Sequence, residues 1–200
     1  MQITDLKTLD YPPLTDDLEE AKSHLDKYGM ALIKDVLSQE EVEEMDQRLN
    51  EQFMGEEKYQ VGSKIRGDEG FGIESSEEEK VSRLVWNLIN KGDCFLKLID
   101  HPKILPLIQH MIGERVCLCS MGAHMNGSGN ERMALHQDQW PLVPHPMKFP
   151  FMANVMYLIS DNSPENGGTR LIPGSHKWPL IDYKTANSCL LYTSDAADDP

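Results

Sequence analysis

The chain has 200 residues, of which 40% are hydrophobic and 26% charged, and its formal net charge is −14. That length suits one domain with a sizeable core, and the composition is that of an ordinary globular protein. The acid excess excludes a binder of nucleic-acid backbones, which needs a basic stripe. No apolar run approaches the ~18 residues of a membrane span, and Met1 to Lys7 lacks a signal peptide's basic-then-apolar pattern; a cytoplasmic location is expected.

In chain order, Leu18, Ala21, Leu25 and Tyr28 recur at helical spacing, with Gly29 as a natural stop. The acidic runs at Asp16 to Glu20 and Glu77 to Lys80 read as solvated surface. Met30 to Lys34 suits a short buried strand. Ser38 and Glu41 form a capping box, flanked by Leu37 and Val42 as a hydrophobic staple. Val42, Met45, Leu49 and Phe53 then make one apolar stripe. Residues 55 to 80, rich in Gly, Glu and Ser, read as a long loop.

Val81, Leu84, Val85 and Leu88 restore a helical period until Gly92. Pro102 suits the first position of another helix, with Ile104, Leu105, Ile108 and Met111 inward and Gly113 at its end. From Arg115 onward, short apolar runs at 116–121, 151–159 and 169–172 alternate with Gly, Pro and Asn turns, which predicts strands. Helices first and strands later give an α+β domain whose sheet carries the chemistry. Cys117 and Cys119 share a strand face without a second pair at zinc-finger spacing, and read as small core residues in a reducing compartment.

Two His and one carboxylate form the facial triad of non-haem Fe(II) oxygenases, which leaves positions open for co-substrate and oxygen. The string His-x-Asp is weak by itself: seven His and 33 acids in 200 residues give about one His-x-acid by chance. His24 and Asp26 supply one such string inside the first predicted helix, where i and i+2 diverge, and read as a surface coincidence. His136 and Asp138 supply the other among predicted strands and turns. In an extended segment i and i+2 share a face, so both side chains can converge on one ion. Asn154, Met156 and Leu158 alternate with Val155, Tyr157 and Ile159 along the next run. A polar Asn154 there either lines a polar cavity, the favoured reading, or satisfies a backbone group.

Leu135-His136-Gln137-Asp138-Gln139-Trp140, followed by Asn154 to Lys177 with its Pro164-Glu165-Asn166-Gly167-Gly168 turn and Pro173-Gly174-Ser175-His176, resembles the phytanoyl-CoA dioxygenase family. The helix-strand-helix opening, with Gly29 to Lys34 before Val36 to Glu41, is similar too, so the likeness spans most of residues 15 to 178. It implies a double-stranded β-helix (jelly-roll) core with N-terminal flanking helices. It implies Fe(II) held by His136 and Asp138, 2-oxoglutarate as co-substrate, O₂, and hydroxylation of a small organic substrate with release of succinate. Asp138 favours hydroxylation, since related halogenases place a small residue there. Gln137 matches a residue that, in part of the family, contacts the 2-oxoglutarate side of the site, and Asn154 is a second candidate for that side. The family's third ligand, a distal His, and its 2-oxoglutarate-binding Arg come from a later strand, and residues 177 to 188 hold neither type. His176 is expected to bond locally, His124 and His145 to be structural or surface residues, and Arg170 to carry no co-substrate role. Two rival readings are a cupin-like metal enzyme independent of 2-oxoglutarate and a non-catalytic binding domain.

The run from Cys189 to Asp199 looks like the in-frame translation of a transposase adapter from sequencing-library preparation. The expectation is a truncated oxygenase domain over residues 1–188 and a non-native tail over 189–200. A jelly roll cut there would expose sheet edges and aggregate readily.

Overall fold

The computed structural model of the chain describes residues 10–61, 63–66, 81–125, 136, 138, 149–163 and 166–177. Asp17 starts the first helix, α1 (Leu18–Tyr28), by accepting the Glu20 N–H at 2.9 Å with its own backbone extended. Glu19 and Glu20 in the first turn and Lys27 in the last complement the helix dipole. Gly29 ends the helix in the left-handed region at φ 75°, with its N–H on the Leu25 carbonyl. Two short parallel strands bracket α1: β1 (Leu14–Thr15) pairs with β2 (Leu32–Ile33).

The next helix, α2 (Gln39–Tyr59), has the expected capping box, with Ser38 Oγ accepting from Glu41 N and Glu41 Oε2 accepting from Ser38 N. The backbone N–H of Ser38 holds the Glu41 carboxyl below its ordinary pKa. Met45, Leu49 and Phe53 are buried along one stripe. The helix runs five residues into the segment expected to be loop, and Ser63–Arg66 forms a strand, β3. Residues 67–80, Glu77 to Lys80 among them, lie outside the described residues.

The helix expected from Val81 until Gly92 is, over its first part, a strand, β4 (Val81–Trp86). It is the centre of an antiparallel sheet in the order β3-β4-β5, where β5 is Gly122–Met125. The reason is visible in the burial of neighbours: Leu84 is 2% exposed and Val85 0%. A central strand covered on both faces loses the alternation that marks a half-exposed one, and adjacent apolar residues imitate a helical period. Only Leu88 continues in a helical turn, a 3-10 turn over Leu88–Asn90 entered through Asn87 at φ 56°.

Two helices follow, α3 (Asp93–Leu96) and α4 (Leu105–Ile112). Pro102 belongs to the turn before α4, which takes Pro106 in its own first turn, and Gly113 closes it as expected. Ile104 and Leu107 are the residues buried there, rather than the whole set Ile104, Leu105, Ile108 and Met111. The core gathers Met45, Leu49 and Phe53 of α2, Val85 of β4, and Leu88, Cys94, Phe95 and Leu98. Cys94 is thus the core cysteine, and burial pushes its thiol pKa up. Cys117 and Cys119, expected inside, are exposed.

The described residues show mixed helix and sheet, in keeping with an α+β class. Residues 116–121, 151–159 and 169–172, expected as strands, make no ladder among the described residues. An apolar run becomes a strand only where a neighbour takes its backbone hydrogen bonds. The run at 151–159 is nonetheless anchored: Tyr157 and Ile159 pack on the core, while Met156 and Leu158 face outward as the alternation predicts. Tyr157 Oη donates to the Leu98 carbonyl at 2.9 Å, and burial pushes its phenol up to about 12.

That phenol makes a measurable prediction. The folded state keeps the Tyr157 proton above the ordinary pKa of 10.0, so its contribution is complete below pH 10 and declines as pH rises towards 12. Tyr157→Phe is expected to cost about 1 kcal/mol at neutral pH through the lost hydrogen bond. In urea denaturation it should also show a smaller stability loss than the wild type between pH 10 and 12.

Candidate metal centre

His136 and Asp138 do come together. His136 Nε2 lies 3.4 Å from Asp138 Oδ1, and both side chains are partly exposed. Asp138 stands in a turn rather than in a paired strand, so the convergence expected of an extended segment is achieved locally. The other carboxylate oxygen, Oδ2, accepts a hydrogen bond from the Asn154 side-chain nitrogen. The side-chain partner of Asn154 is thus a carboxylate 16 positions earlier in the chain. Nothing in the sequence pointed to that contact. Asn154 owes its place to the segment in which it lies, fixed three residues later by Tyr157.

The pair fits a divalent metal. A nitrogen and an oxygen each bonded to one ion at about 2.1 Å can be at most about 4.2 Å apart, and the observed 3.4 Å is inside that reach. Neutral imidazole with carboxylate also suits Fe(II). Among the described residues no group of three or more His, Cys, Asp or Glu is arranged to hold a metal. Gln137 and His145 lie outside the described residues.

The decoy pair behaves differently from its partner string and also from expectation. His24 is on α1 but only 8% exposed, with Tyr28 edge-on at 5.8 Å, so it is a packed residue and not a surface one. Asp26 points away and meets His110 Nε2 of α4 at 2.9 Å. His124 is on β5 opposite Leu84 with part of its ring at the surface; loss of solvent around the remainder pushes its pKa down.

His176 makes the local bond expected of it. It belongs to a 3-10 turn, Ser175–Lys177, that closes over the C-terminal end of α1. Gly174 N donates to the Tyr28 carbonyl at 2.6 Å, His176 Nε2 is 3.3 Å from the Asp26 carbonyl, and Lys177 Nζ is 3.4 Å from the Lys27 carbonyl. These carbonyls belong to the helix end, which has no internal donors for them, and cationic groups there also suit the dipole. The preceding turn is tight as expected: Gly168 N donates to Ser163 O at 2.8 Å, and a Cβ on Gly168 would meet that same oxygen at 2.7 Å. A separate open cleft of about 250 Å³, lined by Glu56, Leu84, Trp86, Asn87, Asn90 and Lys91 among others, contains neither His136 nor Asp138. Arg170 is exposed.

The paired His136 and Asp138, the Asn-Gly-Gly turn and the Pro-Gly-Ser-His closure are accompanied by a match over residues 25–189 to the model of the phytanoyl-CoA dioxygenase family. The chain belongs to that family. It is 29% identical over 165 residues to the dioxygenase af480 of Aspergillus fumigatus, an alignment covering 82% of this chain and 51% of that protein. A second dioxygenase of Aspergillus fumigatus, sphC, is 24% identical, with 82% and 46% covered. A probable alpha-ketoglutarate-dependent hypophosphite dioxygenase of Stutzerimonas stutzeri is 26% identical, with 85% and 57% covered. The chain thus spans about half the length of these curated relatives. No solved structure matches it. Among the described residues, no helix is long and apolar enough to cross a membrane.

The closure over α1 can be tested at Gly29. A Cβ there would sit 2.7 Å from His176 Cγ on a backbone already at φ 75°. Gly29→Ala is expected to destabilise by about 1–3 kcal/mol, from left-handed strain and the clash together. His176→Ala added to it should relieve the clash, so that the double variant loses less than the sum of the two single losses in urea denaturation.

Proposed function

We propose that this chain carries part of the catalytic domain of a non-haem Fe(II)- and 2-oxoglutarate-dependent dioxygenase that hydroxylates a small organic substrate. The observation that carries the reading is the 3.4 Å approach of His136 Nε2 to Asp138 Oδ1. Membership of the phytanoyl-CoA dioxygenase family supports it, as does the relative named for alpha-ketoglutarate dependence. His136 and Asp138 are two ligands of the metal, with a third from outside the described residues. Gln137 is proposed to face the co-substrate. The sheet β3-β4-β5 is proposed to be one part of a double-stranded β-helix, with α1 and α2 as its flanking helices.

Bound at that centre, Fe(II) supplies, with 2-oxoglutarate and O₂, an oxidative decarboxylation to succinate and CO₂ that is coupled to attack on a substrate C–H bond. The chain's own part is to hold the metal by one imidazole and one carboxylate, to keep Asp138 in place, and to orient the substrate while excluding competing reactions. The reading of residues 189–200 as a non-native tail belongs to the same proposal, and sequencing the gene across codon 188 tests it.

An anaerobic Fe(II) titration separates this reading from a cupin-like metal enzyme that needs no 2-oxoglutarate. A weak visible charge-transfer band should develop only once 2-oxoglutarate is added to an active preparation, and its absence would overturn the proposal. His136→Ala should lower metal affinity and succinate production by about 100-fold or more, since even outer-shell partners of a metal site cost about 10–100-fold. Unchanged succinate production in that variant would remove His136 from the metal centre, whereas no succinate from the unsubstituted protein would point to the non-catalytic binding domain.

A further inference from the structure

The two oxygens of the Asp138 carboxylate have different partners. Oδ1 lies 3.4 Å from His136 Nε2, whereas Oδ2 accepts from the Asn154 side chain. Asn154 is exposed, so burial does not oblige it to find a partner. Its backbone is placed by Tyr157, whose hydroxyl reaches the Leu98 carbonyl at 2.9 Å and whose ring packs on the core. An amide delivered from an anchored segment onto one named oxygen is a directional constraint on the carboxylate.

We propose that Asn154 is a positioning residue that holds Asp138 as a one-oxygen ligand, reserving Oδ1 for the metal ion shared with His136. This rests on the reading of His136 and Asp138 as metal ligands. A carboxylate can bind a metal through one oxygen or through both. A hydrogen bond to Oδ2 engages the oxygen that a second metal bond would use. A side-chain amide gives that bond without bringing a charge of its own. A cationic donor in the same place would instead compete with the metal for the carboxylate's charge. One-oxygen attachment keeps an additional coordination position free for co-substrate, which is the condition that a facial triad exists to meet.

The test uses Co(II) as the metal, because its ligand-field absorption reports coordination independently of turnover. Asn154→Leu removes the donor at similar size, and a thermal melt checks that the variant folds. The expected result is a rise of about 10-fold in the Co(II) dissociation constant. A changed spectrum at saturating metal should accompany it as the freed carboxylate takes up two-oxygen attachment. A folded Asn154→Leu with the wild-type constant and the wild-type spectrum overturns the proposal. If Leu does not fold, Asn154→Ala, which only opens space at an exposed position, is read in the same way. His136→Ala in parallel separates the two levels of the argument. Loss of Co(II) binding in His136→Ala beside a silent Asn154→Leu defeats the positioning role alone. Co(II) binding unaffected by His136→Ala defeats the metal centre, and the positioning role with it.

Discussion

The stripe of Met45, Leu49 and Phe53 on α2 covers the Val85 side of the three-stranded sheet, and Leu88, Cys94, Phe95 and Leu98 close the space between them. Full burial of side chains of this kind contributes about 1.5–3 kcal/mol each, relative to exposure. The exposed ion pairs around this core, such as Lys97 with Glu44 at 3.5 Å and Lys34 with Asp16 at 3.5 Å, are worth about 0–1 kcal/mol each. Apolar contact, rather than charge pairing, is therefore what sets helix against sheet. Charge pairing at the acidic surface contributes little to this arrangement.

From that packing a short physical path leads to the candidate centre. Leu98 is buried at the edge of the core, and its carbonyl receives the Tyr157 hydroxyl. Tyr157 and Ile159 seat one side of the 151–159 run against the core, which leaves the other side, with Asn154, to reach Asp138. The carboxylate then faces His136. Disturbance at Leu98 thus has a route to Asp138 through Tyr157, the chain back to Asn154, and the Asn154 hydrogen bond.

Legibility in the sequence followed the range of the interactions. The helix ends at Gly29, Ser38 and Gly113 were readable because a cap is made within a few residues of itself. The convergence of His136 and Asp138 was readable for the same reason, two positions apart. The strand at Val81–Trp86 was misread because the adjacent Leu84 and Val85 are both buried, which erases the alternating signal. His24 was misread as surface from its residue type, although it is buried with Tyr28 edge-on to its ring. Cys117 and Cys119 were placed inside on residue type and a shared strand face, but both are exposed. The Asn154 contact with Asp138 depends on Tyr157 finding Leu98, 59 positions away, and no local pattern encodes that.

The closure over the end of α1 joins residues 150 positions apart. During synthesis, α1 can wind and cap itself as soon as Gly29 emerges, since its start and stop are local. Its last carbonyls must wait in water until the turn at Gly174 to Lys177 has been made, some 150 peptide bonds later. A contact of such sequence separation is entropically slow to form. Helix α1 can thus appear well before it is fastened. For an interval during translation, its terminal carbonyls are open to any donor that reaches them.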